Sequence, residues 1–326
     1  MARTACAAMV SMGAAIFCTA ALAQDYPAKP VRIIFPYPPG GQPDIVLRLV
    51  AQQFSTQFGQ PFQVEHLPGS GGVVATTAFL RQPADGYTIA YADGGSWAIY
   101  PAMNPKVDYD AVRDFAPIGL FAQSGGMFLV VNTSQSIGTL QELLARARAK
   151  PGSLSYGSAG VGTIHHLIME DFKATLGVDI LHVPYKGALQ MIPALAGDQI
   201  SMAISAPSSV ATYVKEGRFR VLGTSARVRN PLAADVPTIG ESTGKPDFDH
   251  SGFMGMIART GTPRPVIDRI SGALAKAIAV PEVAARFNSV GLDPVADTRP
   301  ERAVEQMRSD IAKYRRIVKA AGIRAE

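Results

Sequence analysis

The chain has 326 residues, a formal net charge of +5, and 17% charged against 47% hydrophobic residues. That length exceeds what one hydrophobic core usually organises and points to two domains, and the high apolar content describes a compact, well-buried globule. The basic excess is diffuse, with no Lys/Arg run longer than Arg315-Arg316, which excludes a nucleic-acid-binding surface of the usual kind.

At the N-terminus Arg3 precedes a weakly apolar run over 5–20 and the small-x-small ending Ala21-Leu22-Ala23, followed by Gln24-Asp25. Residues 1–23 read as a secretory signal peptide cut after Ala23, which places the mature protein in the periplasm. A membrane anchor would need about 20 strongly apolar residues, whereas Ser11, Gly13 and Thr19 interrupt this run. Cys18 follows Ile16-Phe17 rather than the small residues that precede a lipid-accepting cysteine, so lipidation is not expected. Both cysteines, Cys6 and Cys18, fall in the removed segment, so disulfides, thiolate nucleophiles and cysteine metal sites are not expected in the mature chain.

The first strand is predicted at 31–35, followed by a Pro/Gly turn and an amphipathic helix over 44–58. Val46, Leu49, Val50 and Phe54 share one face of that helix; Pro43 suits its first turn, and Gly59 with Pro61 supplies the stop. Further strands are predicted at 62–66, 87–92, 127–131, 154–156, 180–183, 200–204, 219–224 and 253–258, alternating with helical patterns. This order predicts an α/β fold with mostly parallel sheets. Thr139-Leu140-Gln141-Glu142 reads as a capping box, and Gly177, Gly197 and Gly217 close helical segments. Strand crossings between lobes are expected near 123–126 and 245–251. The first lobe is then discontinuous, 24–124 plus 249–326 with the helices at 265–280 and 301–321, and the second spans 125–248.

Tyr37-Pro38-Pro39-Gly40-Gly41-Gln42-Pro43-Asp44 joins the first strand to the first helix, and such a loop at a helix N-terminus attracts anions. Alone it is equally an ordinary tight turn. Tyr156-Gly157-Ser158-Ala159-Gly160-Val161-Gly162-Thr163 also follows a strand and opens a helix, offering backbone donors and the Ser158 and Thr163 hydroxyls. Two facing anion sites predict a carboxylate clamp. Further glycine loops are Pro68-Gly69-Ser70-Gly71-Gly72 and Asp93-Gly94-Gly95-Ser96-Trp97, and Trp97, the chain's single tryptophan, reads either as a ligand wall or as a core residue. Neither a P-loop nor a dinucleotide-binding glycine pattern is present, so no cofactor is expected. His166 with Glu170 lies at metal-binding spacing, and Ser158 with His166 can be drawn as nucleophile and base. Neither constellation is complete, so the hydrolase reading stands as a minor alternative and an enzyme is not expected.

Taken together, Tyr26-Pro27-Ala28-Lys29-Pro30-Val31-Arg32, Pro38-Pro39-Gly40-Gly41, Pro68-Gly69-Ser70-Gly71-Gly72, Asp85-Gly86-Tyr87-Thr88 and Asp114-Phe115-Ala116-Pro117-Ile118 resemble the Bug-type family, the substrate-binding subunits of tripartite tricarboxylate transporters. The likeness continues through Ser158–Thr163 with His166-Leu167, His182-Val183-Pro184-Tyr185-Lys186-Gly187, Asp235-Val236-Pro237-Thr238, Gly261-Thr262-Pro263-Arg264-Pro265 and Lys319-Ala320-Ala321-Gly322-Ile323.

The resemblance implies a two-lobed periplasmic-binding-protein (Venus flytrap) fold with crossing hinge strands that closes on a small carboxylate. It implies that Pro38–Gly41 and Ser158–Thr163 meet a carboxylate from opposite lobes, partly through waters, and that Tyr37, Tyr185 and Ser205 shape the rest of the pocket. Relatives often carry a third Gly and a Thr where this chain has Gln42-Pro43, and amino-acid-binding relatives place an Asp where it has Ser205. An uncharged Ser205 cannot neutralise an ammonium, so the expected ligand is an aromatic or dicarboxylic acid without an amine. Tyr100, Met127 and Phe128 are further candidate wall residues. The expected partners are the integral membrane subunits of a transporter, with a sensor kinase as the alternative; no nucleic acid is expected, and the protein is expected to be a monomer.

Overall fold

The computed structural model describes residues 26–69, 72–104 and 107–323. The signal segment with its cut after Ala23, and Ser70 and Gly71 of the third glycine loop, lie outside the described residues.

The chain begins with β1 (Val31–Phe35), helix α1 (Gln42–Phe58), β2 (Phe62–His66), α2 (Val73–Leu80), β3 (Thr88–Asp93) and β4 (Phe115–Ser124). β1 is apolar and buried along nearly its whole length, as befits a strand covered on both faces. Pro43 stands in the first turn of α1, and Gly59 ends it in the left-handed conformation with its N–H on the Ser55 carbonyl. Val46, Leu47, Val50, Ala51 and Phe54 form its buried face, with Leu49 half-buried beside them.

The chain then crosses to β5 (Phe128–Asn132), α3 (Leu140–Ala149), β6 (Ser155–Ser158), α4 (Ile164–Leu176), β7 (Leu181–Pro184), α5 (Ala188–Ala196), β8 (Met202–Ser205), α6 (Pro207–Lys215) and β9 (Phe219–Thr224). It returns through β10 (Gly252–Arg259) to α7 (Arg264–Ile278), α8 (Pro281–Ser289), β11 (Leu292–Pro294) and α9 (Pro300–Ala321). The described residues form two sheets, ordered β11-β4-β10-β3-β1-β2 and β7-β6-β8-β5-β9. One core cluster packs on the first sheet, and two others cover opposite faces of the second; Leu167 of α4 belongs to the first.

Both sheets are mixed rather than mostly parallel. β1–β2, β1–β3, β6–β7 and β6–β8 run parallel, as βα alternation requires. β10 is antiparallel to β3 and β4, β11 to β4, and β5 to β8 and β9. The antiparallel pairs involve the strands flanking the two crossings, where the chain enters a sheet from the other lobe instead of from a covering helix. β4 escapes sequence reading because Pro117 and Gly119 interrupt its apolar run; Gly119 is required there, since a Cβ would fall on the Thr298 carbonyl. Thr139 caps α3 through the Glu142 N–H, but the Glu142 carboxylate turns to the Gly138 N–H, and the reciprocal capping box forms instead at Thr238 and Glu241.

The crossings lie side by side. Ser225 accepts the Met127 N–H at 2.9 Å and returns its own N–H to the Met127 carbonyl, while the Gly252 N–H donates to Ser124 Oγ. Among the described residues no helix is long and apolar enough to cross a membrane.

Candidate functional site

A cleft of about 1050 Å³ opens between the two sheets, lined from the first by Tyr37, Pro43, Tyr91, Asp93 and Tyr100 and from the second by Ala159–His165 and Pro184–Lys186. It sits where the parallel strands end and their helices begin, the usual ligand position of open α/β sheets.

The loop after β1 is held from within. The Gly40 N–H donates to Asp44 Oδ2 at 2.8 Å, and Asp44 is further bonded by Arg48 and His66. Burial raises the Asp44 carboxyl, but the hydrogen bonds from Gly40, His66 and Arg48 outweigh it and leave the group below its ordinary range. A buried acid in the first turn thus already answers the positive end of α1. Gln42 donates its side-chain amide to the Val290 carbonyl, and Gly72, the N-cap of α2, backs the loop against Pro36. From this loop it is Tyr37 and Pro43 that line the cleft; Gly40, Gly41, Gln42 and Gly72 do not.

The loop after β6 is arranged differently. Thr163, the N-cap of α4, gives its hydroxyl to the Gly160 carbonyl at 2.7 Å instead of capping the helix, and the first turn contains no acid. Among the described residues the first-turn N–H groups of α4 are therefore left without a protein anion, at the cleft surface formed by Thr163, Ile164 and His165. Ser158, Gly160 and Gly162 are bound internally. Ser158 Oγ accepts the Gly160 N–H, donates towards the Gly160 carbonyl and lies 2.7 Å from His182 Nε2; the Gly162 N–H donates to His166 Nδ1 at 3.0 Å. Ser158 thus pairs with His182, not with His166, and its fully buried hydroxyl is engaged on both sides, which corrects the nucleophile–base pairing drawn from the sequence.

The cleft walls are mostly apolar or aromatic, with Ile99, Met103, Phe253, Met254 and Tyr314 completing them. Asp93 and Lys186 are the Asp, Glu, Lys and Arg residues of the lining. Asp93 accepts from the Tyr37 hydroxyl at 2.7 Å, the Tyr91 hydroxyl at 3.2 Å, and the Gly95 and Ser96 N–H groups, so its lone pairs are taken. Burial raises its carboxyl. Lys186 is exposed on the loop after β7, and burial pushes the His165 imidazole down to about 4, leaving it neutral.

Of the residues singled out from sequence, Tyr37, Tyr100, Ala159, Gly160, Thr163 and Tyr185 line the cleft. Trp97 does not. It is 1% exposed and donates its indole N–H to Asp310 at 3.0 Å, so it is a core residue. Ser96 is buried and bonds the Asp93 backbone, and Ser205 ends β8 inside the second sheet with no partner for its hydroxyl among the described residues. Met127 and Phe128 pack into the cores beside that sheet. Sequence reasoning passed over Tyr91, Met103, Phe253 and Tyr314, and reached Asp93 only as the first residue of a glycine loop. An acid ending a predicted strand before two glycines was the available signal for Asp93; Tyr314, on the last helix, offered none.

Residues 46–323 match the family described as tripartite tricarboxylate transporter family receptor. The chain belongs to this family. The receptor is 28% identical to the protein BugT of Bordetella pertussis over 92% of this chain and 91% of that one. Among solved structures it is similar to one described as a periplasmic transporter, at 33% identity and a TM-score of 0.76, covering 92% of this chain and 99% of that one. It is also similar to R. palustris Rpa4515, solved with adipate, at 28% identity and a TM-score of 0.77, covering 92% and 99%. The family comprises periplasmic solute-binding receptors that serve membrane transporters, and the two-lobed α/β fold is the one its members share.

Proposed function

We propose that the receptor captures a small carboxylic acid in the cleft and delivers it to the membrane subunits of a tripartite transporter. The observation that carries this reading is the α4 N-terminus, open to the cleft with neither a side-chain cap nor an acid in its first turn. One carboxylate meets these amides, while the ligand body lies against Tyr37, Tyr100, Met103 and Phe253. A dicarboxylate reaches Lys186 with its second group; an aromatic acid uses the apolar walls alone. Adipate in Rpa4515 supports the dicarboxylate form. An amine is disfavoured because Asp93, the one acid of the lining among the described residues, is already bonded by four donors. Closure of lobes 24–124 plus 249–326 and 125–248 around the acid selects the form that the transporter recognises. The protein acts as a monomer, exported with its signal segment removed after Ala23.

A thermal-shift screen of residues 24–326 with adipate, benzoate, glutamate and glucose tests this. A ligand at about a hundred times its dissociation constant adds about 2.7 kcal/mol, so adipate or benzoate is expected to raise the midpoint and glutamate and glucose to leave it. Stabilisation by glutamate alone would overturn the amine argument, and stabilisation by glucose alone the carboxylate reading. The mass of the protein recovered from periplasm reports the cut.

A further inference from the structure

Beneath the loop that follows β6, two imidazoles stack face to face. The rings of His166 on α4 and His182 on β7 lie 4.0 Å apart at 13°, and Tyr156 also stacks on His182 at 4.8 Å and 16°. Each histidine holds one glycine of the loop. His166 Nδ1 accepts the Gly162 N–H, and His182 reaches Gly160 through Ser158, whose hydroxyl lies between His182 Nε2 and both polar groups of Gly160. Gly160 and Gly162 have φ of 126° and 76°, a backbone shape that must be held by its partners.

We propose that His166 and His182 are positioning residues of the anion-binding loop, a stacked pair that fixes Gly162 and Gly160 at neutral pH, and that a proton added to His166 releases the loop at Gly162. The chemistry of the bonds carries this. An N–H donor at 3.0 Å requires a lone pair on His166 Nδ1, so His166 is the Nε2–H tautomer, and a proton added at Nδ1 sets N–H against N–H. A charge on either ring also repels a charge on the other at 4.0 Å.

The groups facing the pair do not reverse this. Glu170 is the nearest acid, but its carboxylate is bonded by Lys173 at 2.8 Å and by the Tyr156 hydroxyl at 2.7 Å, so Lys173 offsets it. Burial lowers His166, and burial with the neighbouring His166 brings His182 to about 4. The loop is therefore intact at neutral pH and opens as the surrounding medium turns acid.

The test compares the mature wild-type protein with His166→Asn and His166→Leu. Asparagine offers an oxygen near the position of Nδ1 that accepts the Gly162 N–H at any pH; leucine offers none. Without ligand, the Gly162 amide resonance of wild type is expected to move between about pH 7 and about pH 4 together with the His166 ring signals, and to stay in place in His166→Asn. The binding readout rests on the carboxylate reading: adipate affinity falls about tenfold more in wild type than in His166→Asn over that range, the worth of one hydrogen bond. Protonation of adipate itself is common to both proteins. His166→Leu is expected to bind about tenfold more weakly than wild type at neutral pH; if it does not fold, the asparagine variant still decides. A Gly162 amide that ignores the His166 titration, or an equal acid loss in wild type and His166→Asn, would overturn the proposal. Should adipate bind neither protein, the ligand reading fails and the amide resonance still judges the loop.

Discussion

His250 Nε2 lies 3.0 Å from Asp171 Oδ2 with both side chains buried, tying the segment that enters β10 to helix α4. Arg316 of α9 reaches the other Asp171 oxygen at 3.2 Å, so three parts of the chain that meet near the crossings converge on one carboxylate. Asp171→Ala is expected to lower unfolding free energy by about 1.5–3 kcal/mol, the cost of losing a hydrogen bond to a charged buried group. Arg316, being largely exposed, adds little. Urea titration at neutral pH checks this, and a change under about 0.5 kcal/mol, the size of an ordinary surface substitution, would contradict it.

Acid destabilises the protein through its histidines. Burial brings His165 to about 4, and His250 is also held below the ordinary histidine range by burial. The unfolded chain therefore takes up protons that the folded one refuses; for His165 the stability is full above about pH 6.5 and declines towards about pH 4, by up to about 1.4 kcal/mol per pH unit, and His250 acts in the same direction. Asp93 and Asp310, raised by burial, act in the opposite sense. The clean measurement is the difference between wild type and His165→Gln, whose stability is expected to fall less steeply over that window; equal slopes would remove His165 from the account.

Gly162 meets Met103 across the cleft, and a Cβ there would fall on the Met103 sulfur. Because Met103 is flexible, the steric term can relax; the backbone at φ 76° cannot, and it costs an L-residue about 1–2 kcal/mol. Gly162→Ala is expected to lose that stability and to weaken adipate binding. Adding Met103→Ala should restore less than about 0.5 kcal/mol, the usual limit for uncoupled sites. Full rescue in this double-mutant cycle would show that side-chain contact, not the dihedral, demands glycine.

Trp97 and Ser205 separate core from cleft. Trp97→Phe is expected to cost about 1–3 kcal/mol, because Asp310 loses a buried donor, and the fluorescence of this single tryptophan should change little on adipate binding. Ser205→Ala removes a buried hydroxyl that has no partner among the described residues and should leave stability unchanged or slightly raised. A large fluorescence response would place Trp97 against the ligand after all.

Much of the architecture was determined by local sequence. The apolar run of β1, the proline and glycine that bound α1, and the αL glycine that closes α4 act through backbone freedom and burial within a few residues. The two glycine loops were visible for the same reason, and so was the family, whose motifs run the length of the chain. What the sequence alone left undecided was pairing at a distance. Which loop leaves its helix N-terminus open depends on Asp44 turning back to Gly40 and on Thr163 turning away from its own helix. That Ser158 meets His182, that Trp97 meets Asp310, that β4 and β10 run antiparallel, and that Tyr314 from the last helix walls the cleft all follow from how the lobes and helices dock. Periodicity and turn chemistry act over one or two turns of chain, whereas hydrogen-bond partners of buried polar groups are selected by the packing of whole elements.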